Sequence, residues 1–386
     1  MEHNSDTAKN MAAVLHCGLR SYVERYGMPA WHTQHALADI INCRTEPMGT
    51  HAYRCDACGH DVRLHNSCRN RHCPQCQRIR QAQWVEARMN DVLPVQYFHI
   101  VFTIPDLLTR MVMKQPADIY KILFAAASQT MLQLAADKRW LGAKIGFIAV
   151  LHTWGQKLVL HPHLHLIVPG GGIRTDKELW KNTPQDFFIP FRVLAAVFKG
   201  KFMDILRKKC ASELNPALIT ALYKKNWVVY AKKPFANADA VMKYLGQYTH
   251  RIAISNKRIL SVSPQNVSFA YKDYADGNTR KTMSLPTVEF IRRFLLHILP
   301  KGFMRIRSFG ILANRNKKDC LKLCRRLLNV RCNKTDKSKT PWYELFKKLS
   351  GFDPRICPAC HKGMLKLWDI IRPEVKPPGI ERLCLL

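Results

Sequence analysis

Apolar positions in the first part of the chain recur at helical spacing. They return every three or four residues between residues 7 and 42, and this spacing predicts a helical segment. From Met48 to Gln77 the aliphatic residues almost disappear, and Cys, His, Arg, Asn and Gly replace them. Such a segment cannot fold through hydrophobic burial alone, so we expect a bound metal to hold it together. A connecting helix is predicted around Arg78 to Leu93.

Short β-branched and aromatic runs alternate with longer amphipathic segments in the middle of the chain. Only eight residues separate Trp154 from His163, which is too few for a parallel crossover, so the strands that contain them should pair as an antiparallel hairpin. The predicted strands are Tyr97–Ile104, Gly146–Trp154, His163–Val168 and Trp227–Ala231. The predicted helices are Pro116–Arg139, Phe191–Leu214 and Ala238–Tyr248.

A different pattern follows Arg251. Short alternating segments, punctuated by Ser-Pro and Asp-Gly, predict an antiparallel meander at Ile252–Ile254, Arg258–Val262, Val267–Tyr271 and Lys281–Ser284. A helix at Pro286–Leu299 closes this part, and a strongly basic tail begins at Lys301. These changes of pattern divide the chain into regions 1–47, 48–92, 93–300 and 301–386.

The charge balance points to a polyanionic partner. The chain has 386 residues, enough for two or three domains, and 61 Lys and Arg face 28 Asp and Glu, which gives a net charge of +33. Because this surplus is spread along the chain, it would repel itself unless a polyanion such as nucleic acid neutralises it. A ribosome-like or merely adhesive basic protein is the alternative interpretation.

The sequence lacks the signals of export and of membrane insertion. It has no apolar run of the roughly 18 residues that a bilayer span needs, and its N-terminal segment differs from a signal peptide. We therefore expect a soluble, intracellular protein. In that compartment thiols stay reduced, so the 14 cysteines favour metal sites over disulfides.

Two CxxC pairs in the metal-dependent module predict a structural zinc site. They stand fourteen residues apart, and each presents two thiolates from one tight turn. Two such turns complete the tetrahedral sulfur shell that zinc prefers. The predicted ligands are Cys55, Cys58, Cys73 and Cys76. Neighbouring residues could compete for the ion, or could simply lie on the surface or beside the ligands: Cys68, His60, His65 and His72.

Polar and cationic residues lie between these two pairs. Arg69, Asn70 and Arg71 form a surface suited to phosphates and base edges, so we expect this loop to recognise DNA. A purely structural clip is the alternative. Near the C-terminus, Cys357 and Cys360 form half of another zinc site, which Cys332, His361 or Cys384 could complete.

The segment His161-Pro-His163-Leu-His165 lies on a predicted strand. Side chains two residues apart on a strand point to the same face, so His163 and His165 can hold one divalent metal while Leu164 faces the core. Two hydrogen-bonded or surface histidines would give the same pattern.

Two tyrosines stand four residues apart at the end of a predicted helix. Tyr244 and Tyr248 therefore share a helix face, and their hydroxyl groups should emerge side by side. A tyrosine pair packed on a core is the more common meaning of such spacing. The accompanying histidines, zinc module and positive charge favour a pair of nucleophiles.

Taken together, these motifs resemble the HUH endonuclease superfamily, and within it the insertion-sequence-91 type of transposase. The resemblance covers roughly residues 20 to 315. The segments that carry it are Cys68-Arg-Asn-Arg-His-Cys-Pro-Gln-Cys76, Leu151-His-Thr-Trp-Gly-Gln156, His161-Pro-His-Leu-His165, Pro169-Gly-Gly-Gly172, Tyr244-Leu-Gly-Gln-Tyr248-Thr-His-Arg-Ile-Ala-Ile-Ser-Asn256 and Phe290-Ile-Arg-Arg-Phe-Leu-Leu-His-Ile-Leu-Pro-Lys-Gly302.

The resemblance implies an α+β fold with a ferredoxin/RRM-like antiparallel sheet backed by helices. Region 93–300 would then be the HUH-tyrosine nuclease domain. Region 1–47 would be a helical lead-in, region 48–92 the zinc-binding DNA-recognition module, and region 301–386 a basic C-terminal part with a possible second zinc knuckle.

The implied reaction cuts and rejoins single-stranded DNA through a 5′-phosphotyrosine bond and a free 3′-hydroxyl. His163 and His165 would hold Mg²⁺ or Mn²⁺ with Gln156 as the third ligand, and His161, Gln247 and His152 are the alternatives for that place. A phenol has a pKa of about 10, so the attacking tyrosine needs cationic neighbours or the metal. The candidates are Lys243, which would also contact DNA, His250 and the catalytic Arg251. For His297 and Arg292, packing roles are expected.

The implied partners are the single-stranded ends of the protein's own mobile element and its target DNA, in the bacterial cytoplasm and associated with the nucleoid. Both a monomer and a dimer are compatible with the sequence. Three other functions stay open: a rolling-circle replication initiator or relaxase, a non-catalytic zinc-finger DNA-binding protein, and a zinc hydrolase. The missing carboxylate near the histidines argues against the hydrolase.

Overall fold

A computed structural model describes residues 9–89, 91–174, 176, 178–184, 189–235, 241, 246, 252–330 and 340–373, with only the backbone of 232–235. The fold is α+β with antiparallel sheets, as the sequence predicts. Its helices are α1 (Met11–Tyr26), α2 (Trp31–Ile41), α3 (Gln77–Met89), α4 (Thr109–Lys114), α5 (Pro116–Ala136), α6 (Phe191–Lys209), α7 (Pro216–Lys224), α8 (Thr287–Leu295), α9 (Lys317–Leu327) and α10 (Trp342–Ser350).

The strands are shorter elements that pair into four sheets. They are β1 (Thr50–Cys55), β2 (Asp61–His65), β3 (Tyr97–Thr103), β4 (Gly146–Trp154), β5 (Leu160–Pro169), β6 (Gly171–Arg174), β7 (Leu179–Asn182), β8 (Val229–Phe235), β9 (Ile259–Val262), β10 (Asn266–Asp273), β11 (Thr279–Pro286), β12 (Ile306–Gly310) and β13 (Leu365–Ile371).

The central sheet has five strands in the order β12-β4-β5-β3-β8, and every neighbouring pair is antiparallel. The predicted hairpin is confirmed, because β4 and β5 pair antiparallel with Ile148 opposite Ile167. The sequence places residues 306–310 in the C-terminal region and predicts no strand there. In the structure they form β12, which is one edge of this sheet. A strand of five residues carries too little periodicity to identify it without its partner.

Alternating side chains give the central sheet two different faces. On one face, Phe98, Phe102, Phe147 and Leu164 belong to a continuous core, which also contains the buried sides of α5 and α6. Helices therefore cover this face. The opposite face carries the side chains of the intervening positions, including the predicted histidines.

The N-terminal helices pack on the meander rather than standing apart. α1 and α2 share a core with α8 and with β9, β10 and β11, through residues such as Leu15, Leu37, Phe269 and Phe290. Gly18 is the contact point between α1 and α8, since a Cβ there would lie 2.4 Å from Thr287 Cγ2. The meander itself is confirmed, although Ile252–Ile254 is not a strand.

Strands from the N-terminal and C-terminal parts of the chain form a three-stranded sheet. β13 and β2 both pair with β1, so the C-terminal strand lies beside the N-terminal module. No helix among the described residues is long and apolar enough to cross a membrane.

Candidate functional site

Three histidines converge on the face of the central sheet opposite α5 and α6. His152 on β4 lies opposite His163 on β5, and His165 follows two residues later on the same side of β5. Their ligating nitrogen atoms all lie within 4.8 Å of one another. His152 and His165 are buried, whereas His163 is partly open to solvent. Three imidazoles at these distances could hold one divalent metal ion.

Hydrogen bonds orient two of these rings. His163 Nδ1 lies 2.6 Å from the carbonyl oxygen of His161, which can only accept, so the proton is on Nδ1 and Nε2 keeps its lone pair. His165 Nδ1 lies 2.8 Å from Nε2 of the buried His99 on β3. When His165 donates in that bond, its Nε2 is available to a metal. Trp154 stacks on the third ring, His152, with centroids 4.6 Å apart.

The predicted third ligand, Gln156, does not belong to this cluster. Its Oε1 accepts from the backbone N–H of Lys272 at 3.4 Å, and its Nε2 donates to the Tyr274 hydroxyl at 3.1 Å. The reason is that β4 ends at Trp154, so Gln156 lies in the following turn, where strand alternation no longer sets its direction. His152, one of the alternatives, takes the third place instead.

The tyrosine segment lies only in part within the described residues. Tyr244, Tyr248, Lys243 and Arg251 fall outside them, as do the alternatives Gln247 and His250, whereas Val241 and Gly246 are described and helical.

The surroundings of those two residues are informative. Val241 is fully buried in a cluster with Tyr97 of β3 and Ile167 of β5. Ile167 is two positions after His165, so Val241 packs on the histidine face. A Cβ at Gly246 would lie 2.8 Å from Val85 Cγ2, so the chain at Gly246 lies close against α3.

The cysteines form two clusters, and this corrects the predicted zinc site. The first consists of Cys43, Cys68, Cys73 and Cys76, with Cys43 Sγ 3.3 Å and Cys68 Sγ 3.5 Å from Cys76 Sγ.

The second cluster joins distant parts of the sequence: Cys55, Cys58, Cys357 and Cys360. Cys55 Sγ lies 3.7 Å from Cys360 Sγ, and Cys58 Sγ lies 3.8 Å from Cys357 Sγ.

The two predicted CxxC pairs therefore belong to different clusters. The β1–β2 hairpin turns Cys55 and Cys58 toward the C-terminal pair, while the loop before α3 brings Cys73 and Cys76 to the end of α2. Cys43 went unnoticed because it stands alone in the sequence, and Cys68 was weighed only as a competitor. The C-terminal CxxC was recognised as half a site. Cys55 and Cys58 join it, the suggested partner His361 is not part of the cluster, and the suggested partners Cys332 and Cys384 lie outside the described residues.

Two of the predicted DNA-contacting residues have structural roles. Arg71 is half-buried, and its guanidinium donates to the carbonyl oxygens of Pro300 at 2.9 Å and Leu299 at 3.4 Å, and to that of Phe303. Asn70 donates to Asp39 at 2.9 Å and accepts from the backbone N–H of His72. A polar loop residue in the sequence does not reveal whether its partner is a phosphate or the protein itself.

Arg69, in contrast, is exposed and lines a basic cleft of about 950 Å³. The cleft lies between the first cysteine cluster, α3 and α10. Among the described residues, its lining includes no carboxylate and five cationic residues: Arg44, Arg69, Arg78, Arg80 and Lys257. This lining suits a phosphate backbone.

The packing roles expected for His297 and Arg292 agree with the structure. Burial lowers the pKa of His297 to about 4, so the ring is neutral at physiological pH, and it hydrogen bonds Thr153 and the Leu158 carbonyl at 3.2 Å. Arg292 pairs with Glu289 on α8, and that guanidinium holds the pKa of Glu289 at about 2.

Comparisons with known proteins cover nearly the whole chain. Residues 146–319 match a family model described as "Putative transposase", and residues 14–104 match a "Transposase zinc-binding domain". The chain is 42% identical to "Putative transposase y4qJ" of Sinorhizobium fredii, over 92% of this chain and 95% of that protein. It is 29% identical to the transposase for insertion sequence element IS801 of Pseudomonas savastanoi, over 72% and 70% of the two chains. No solved structure matches.

The roles of the two neighbouring arginines can be separated by substitution. Arg71→Ala should lower the free energy of unfolding by about 2 kcal/mol, because it leaves carbonyl groups without a charged donor. The matched variant Arg69→Ala should change it by less than about 0.5 kcal/mol, since that side chain is exposed. Urea unfolding followed by circular dichroism measures both. Equal stability of the two variants would contradict the structural role of Arg71.

Proposed function

The chain belongs to the insertion-sequence-91 type transposase family, and from that premise we propose that it cuts and rejoins single-stranded DNA through a covalent 5′-phosphotyrosine intermediate. One observation carries the proposal: three imidazoles converge on the sheet face opposite α5 and α6, and Val241, three residues before Tyr244, packs on that same face. Metal ligands and a tyrosine segment on one face are the two parts that the chemistry needs.

The topology of the central sheet supports an HUH-type nuclease core. In chain order, β3, β4, β5 and β8 with the intervening helices α5 and α6 follow a β-α-β-β-α-β sequence. If β3, β4, β5 and β8 are numbered one to four in chain order, they lie side by side in the order 4-1-3-2. β12 is added at the edge beside β4. This strand order supports the proposed ferredoxin-like fold. The histidines lie on the adjacent strands β5 and β4, which are strands three and two of this order.

The donor set fits a divalent metal. His152, His163 and His165 would hold it, and the ion would act as a Lewis acid on the scissile phosphate and offset the charge on its oxygens. Because all three protein ligands are imidazoles and none is a carboxylate, the set fits Mn²⁺ better than Mg²⁺, which prefers oxygen. His99 contributes by fixing the ring of His165 from behind.

The reaction follows from a tyrosine nucleophile. The phenol oxygen of Tyr244 or Tyr248 attacks the phosphorus, a Tyr Oη–P bond forms, and the bond from phosphorus to the 3′ oxygen breaks. The phenol proton leaves to solvent or a nearby base, and the 3′ oxygen takes up a proton. Joining is the reverse, with a 3′-hydroxyl attacking the phosphotyrosine. Lys243 and Arg251 would favour the phenolate by their positive charge.

Single-stranded DNA is the proposed partner, in the form of the element's own ends and the target. The net charge of +33 and the carboxylate-free basic cleft both support binding to a phosphate backbone. The cleft is bounded by α3, which also contacts Gly246 in the tyrosine segment. DNA bound there would therefore lead toward the histidine face.

The covalent intermediate gives the direct test. Labelled single-stranded DNA from the element's ends, incubated with Mn²⁺ and the protein, should yield a protein–DNA adduct that survives a denaturing gel. Tyr244→Phe with Tyr248→Phe should abolish the adduct, because no phenol is left to attack. Tyr274→Phe is the matched control, since Tyr274 is exposed on the meander side, and it should retain the adduct.

Joined product alongside the adduct is expected, because the phosphodiester energy is conserved in the phosphotyrosine. Cleavage that persists in the double Phe variant, with hydrolysed ends and no adduct, would instead indicate a metal-dependent hydrolase. Adduct without joining would favour a nicking enzyme of the initiator or relaxase type.

The identity of the third ligand gives a second test. His152→Ala should weaken Mn²⁺ binding about 10- to 100-fold or more, since it removes one of three imidazoles. Gln156→Ala should leave Mn²⁺ affinity within about twofold, because its amide bonds the meander. Isothermal titration or Mn²⁺ electron paramagnetic resonance measures both affinities. A larger loss in Gln156→Ala than in His152→Ala would overturn the three-histidine assignment.

A further inference from the structure

The second cysteine cluster joins parts of the chain that are about 300 residues apart. Cys55 and Cys58 come from the turn between β1 and β2, and Cys357 and Cys360 come from the turn before β13. All four sulfur atoms lie within 4.8 Å of one another. We propose that this cluster binds a second zinc ion, separate from the one in the first cluster, and that this ion fastens the C-terminal segment 340–373 to the N-terminal module.

The donor set and its surroundings suit zinc. Four thiolates from two CxxC turns give the closed tetrahedral shell of a structural site. Backbone N–H groups point at two of the sulfurs, from Ala359 to Cys357 Sγ at 3.4 Å and from Gly363 to Cys360 Sγ at 3.3 Å. Such bonds stabilise thiolate charge. Gly363 also has to be glycine, because a Cβ there would lie 2.3 Å from Cys55 Sγ.

Hydrophobic burial is too small to hold the C-terminal segment in place. β13 pairs with β1 along six residue pairs, yet Leu367, Trp368, Ile370 and Ile371 are each 43–52% exposed. Within 340–373, Leu345 and Cys357 are the buried apolar residues. A small sheet such as β13-β1-β2, with no well-buried hydrophobic face on β13, is marginal in water. A zinc ion bound by cysteines of both segments stabilises the contact between β13 and the N-terminal module.

Fixing segment 340–373 to the N-terminal module also positions α10, which lines the basic cleft. Phe346 and Leu349 of α10 line the cleft opposite the arginines of α3, and Arg78 donates to the Leu349 carbonyl at 3.5 Å. The zinc ion therefore holds one wall of the cleft. Loss of this zinc ion should therefore weaken DNA binding, and that expectation rests on the proposed function. The number of bound zinc ions does not depend on the proposed function.

Metal content provides the test. Purified full-length protein should contain two zinc ions per chain, measured by inductively coupled plasma mass spectrometry and by native mass spectrometry. Cys357→Ser with Cys360→Ser should contain one, and hydrogen exchange should become faster in both β1 and β13. The matched control is Cys17→Ser with Cys320→Ser, which removes two cysteines outside both clusters and should keep two zinc ions.

Two further measurements keep the outcome clear even if the double Ser variant folds poorly. Cobalt titrated into the metal-free wild type should raise the sulfur-to-cobalt absorption band up to two equivalents. Cys360→His, which keeps a zinc ligand, should retain two zinc ions. One zinc ion in the wild type, cobalt saturation at one equivalent, or two zinc ions in the double Ser variant would each overturn the proposal.

Discussion

The site depends on the register in which β4 and β5 pair. With His152 opposite His163, the alternation of side chains places three imidazoles on one face and Phe147, Leu151, Leu164 and similar residues on the other. A shift of one residue in either strand would turn its histidines into the helix-covered core. The apolar residues of the same strands prevent that shift, since it would take them out of the core that α5 and α6 cover. Core packing and metal-site geometry are thus fixed by the same pairing.

The cysteine clusters solve a different problem, the folding of segments that have little hydrophobic core. The module from β1 to α3 buries few aliphatic side chains, and β13 is mostly exposed. Zinc-binding transposase domains and two four-cysteine clusters together support structural zinc in this chain. One cluster joins the residue after α2 to the loop before α3, and the other joins the β1–β2 turn to the turn before β13. The basic cleft lies between these fixed points and α10.

Features that depend on local periodicity could be predicted from the sequence. The β4–β5 hairpin, the paired histidines and the CxxC turns were predictable, because spacing of two to four residues sets which side chains lie together. Long-range pairing was not: nothing in the spacing tells that Cys55 and Cys58 meet Cys357 and Cys360, or that Cys43 completes the other shell. The contacts of Gln156 with the meander were not predictable because strand parity ends at Trp154. The contact of Arg71 with the Pro300 carbonyl was not predictable because a cation's partner cannot be read from its sequence neighbours.

We propose that three imidazoles and the two tyrosines act on one phosphate from the same face of the sheet. Manganese anomalous scattering tests it most directly, in crystals of the double Tyr→Phe variant at 244 and 248 bound to a single-stranded DNA end. The account predicts one manganese peak ligated by His152, His163 and His165, with a DNA phosphate on it and position 244 or 248 beside that phosphate. A peak elsewhere, or both positions on the opposite side of the sheet, would contradict it.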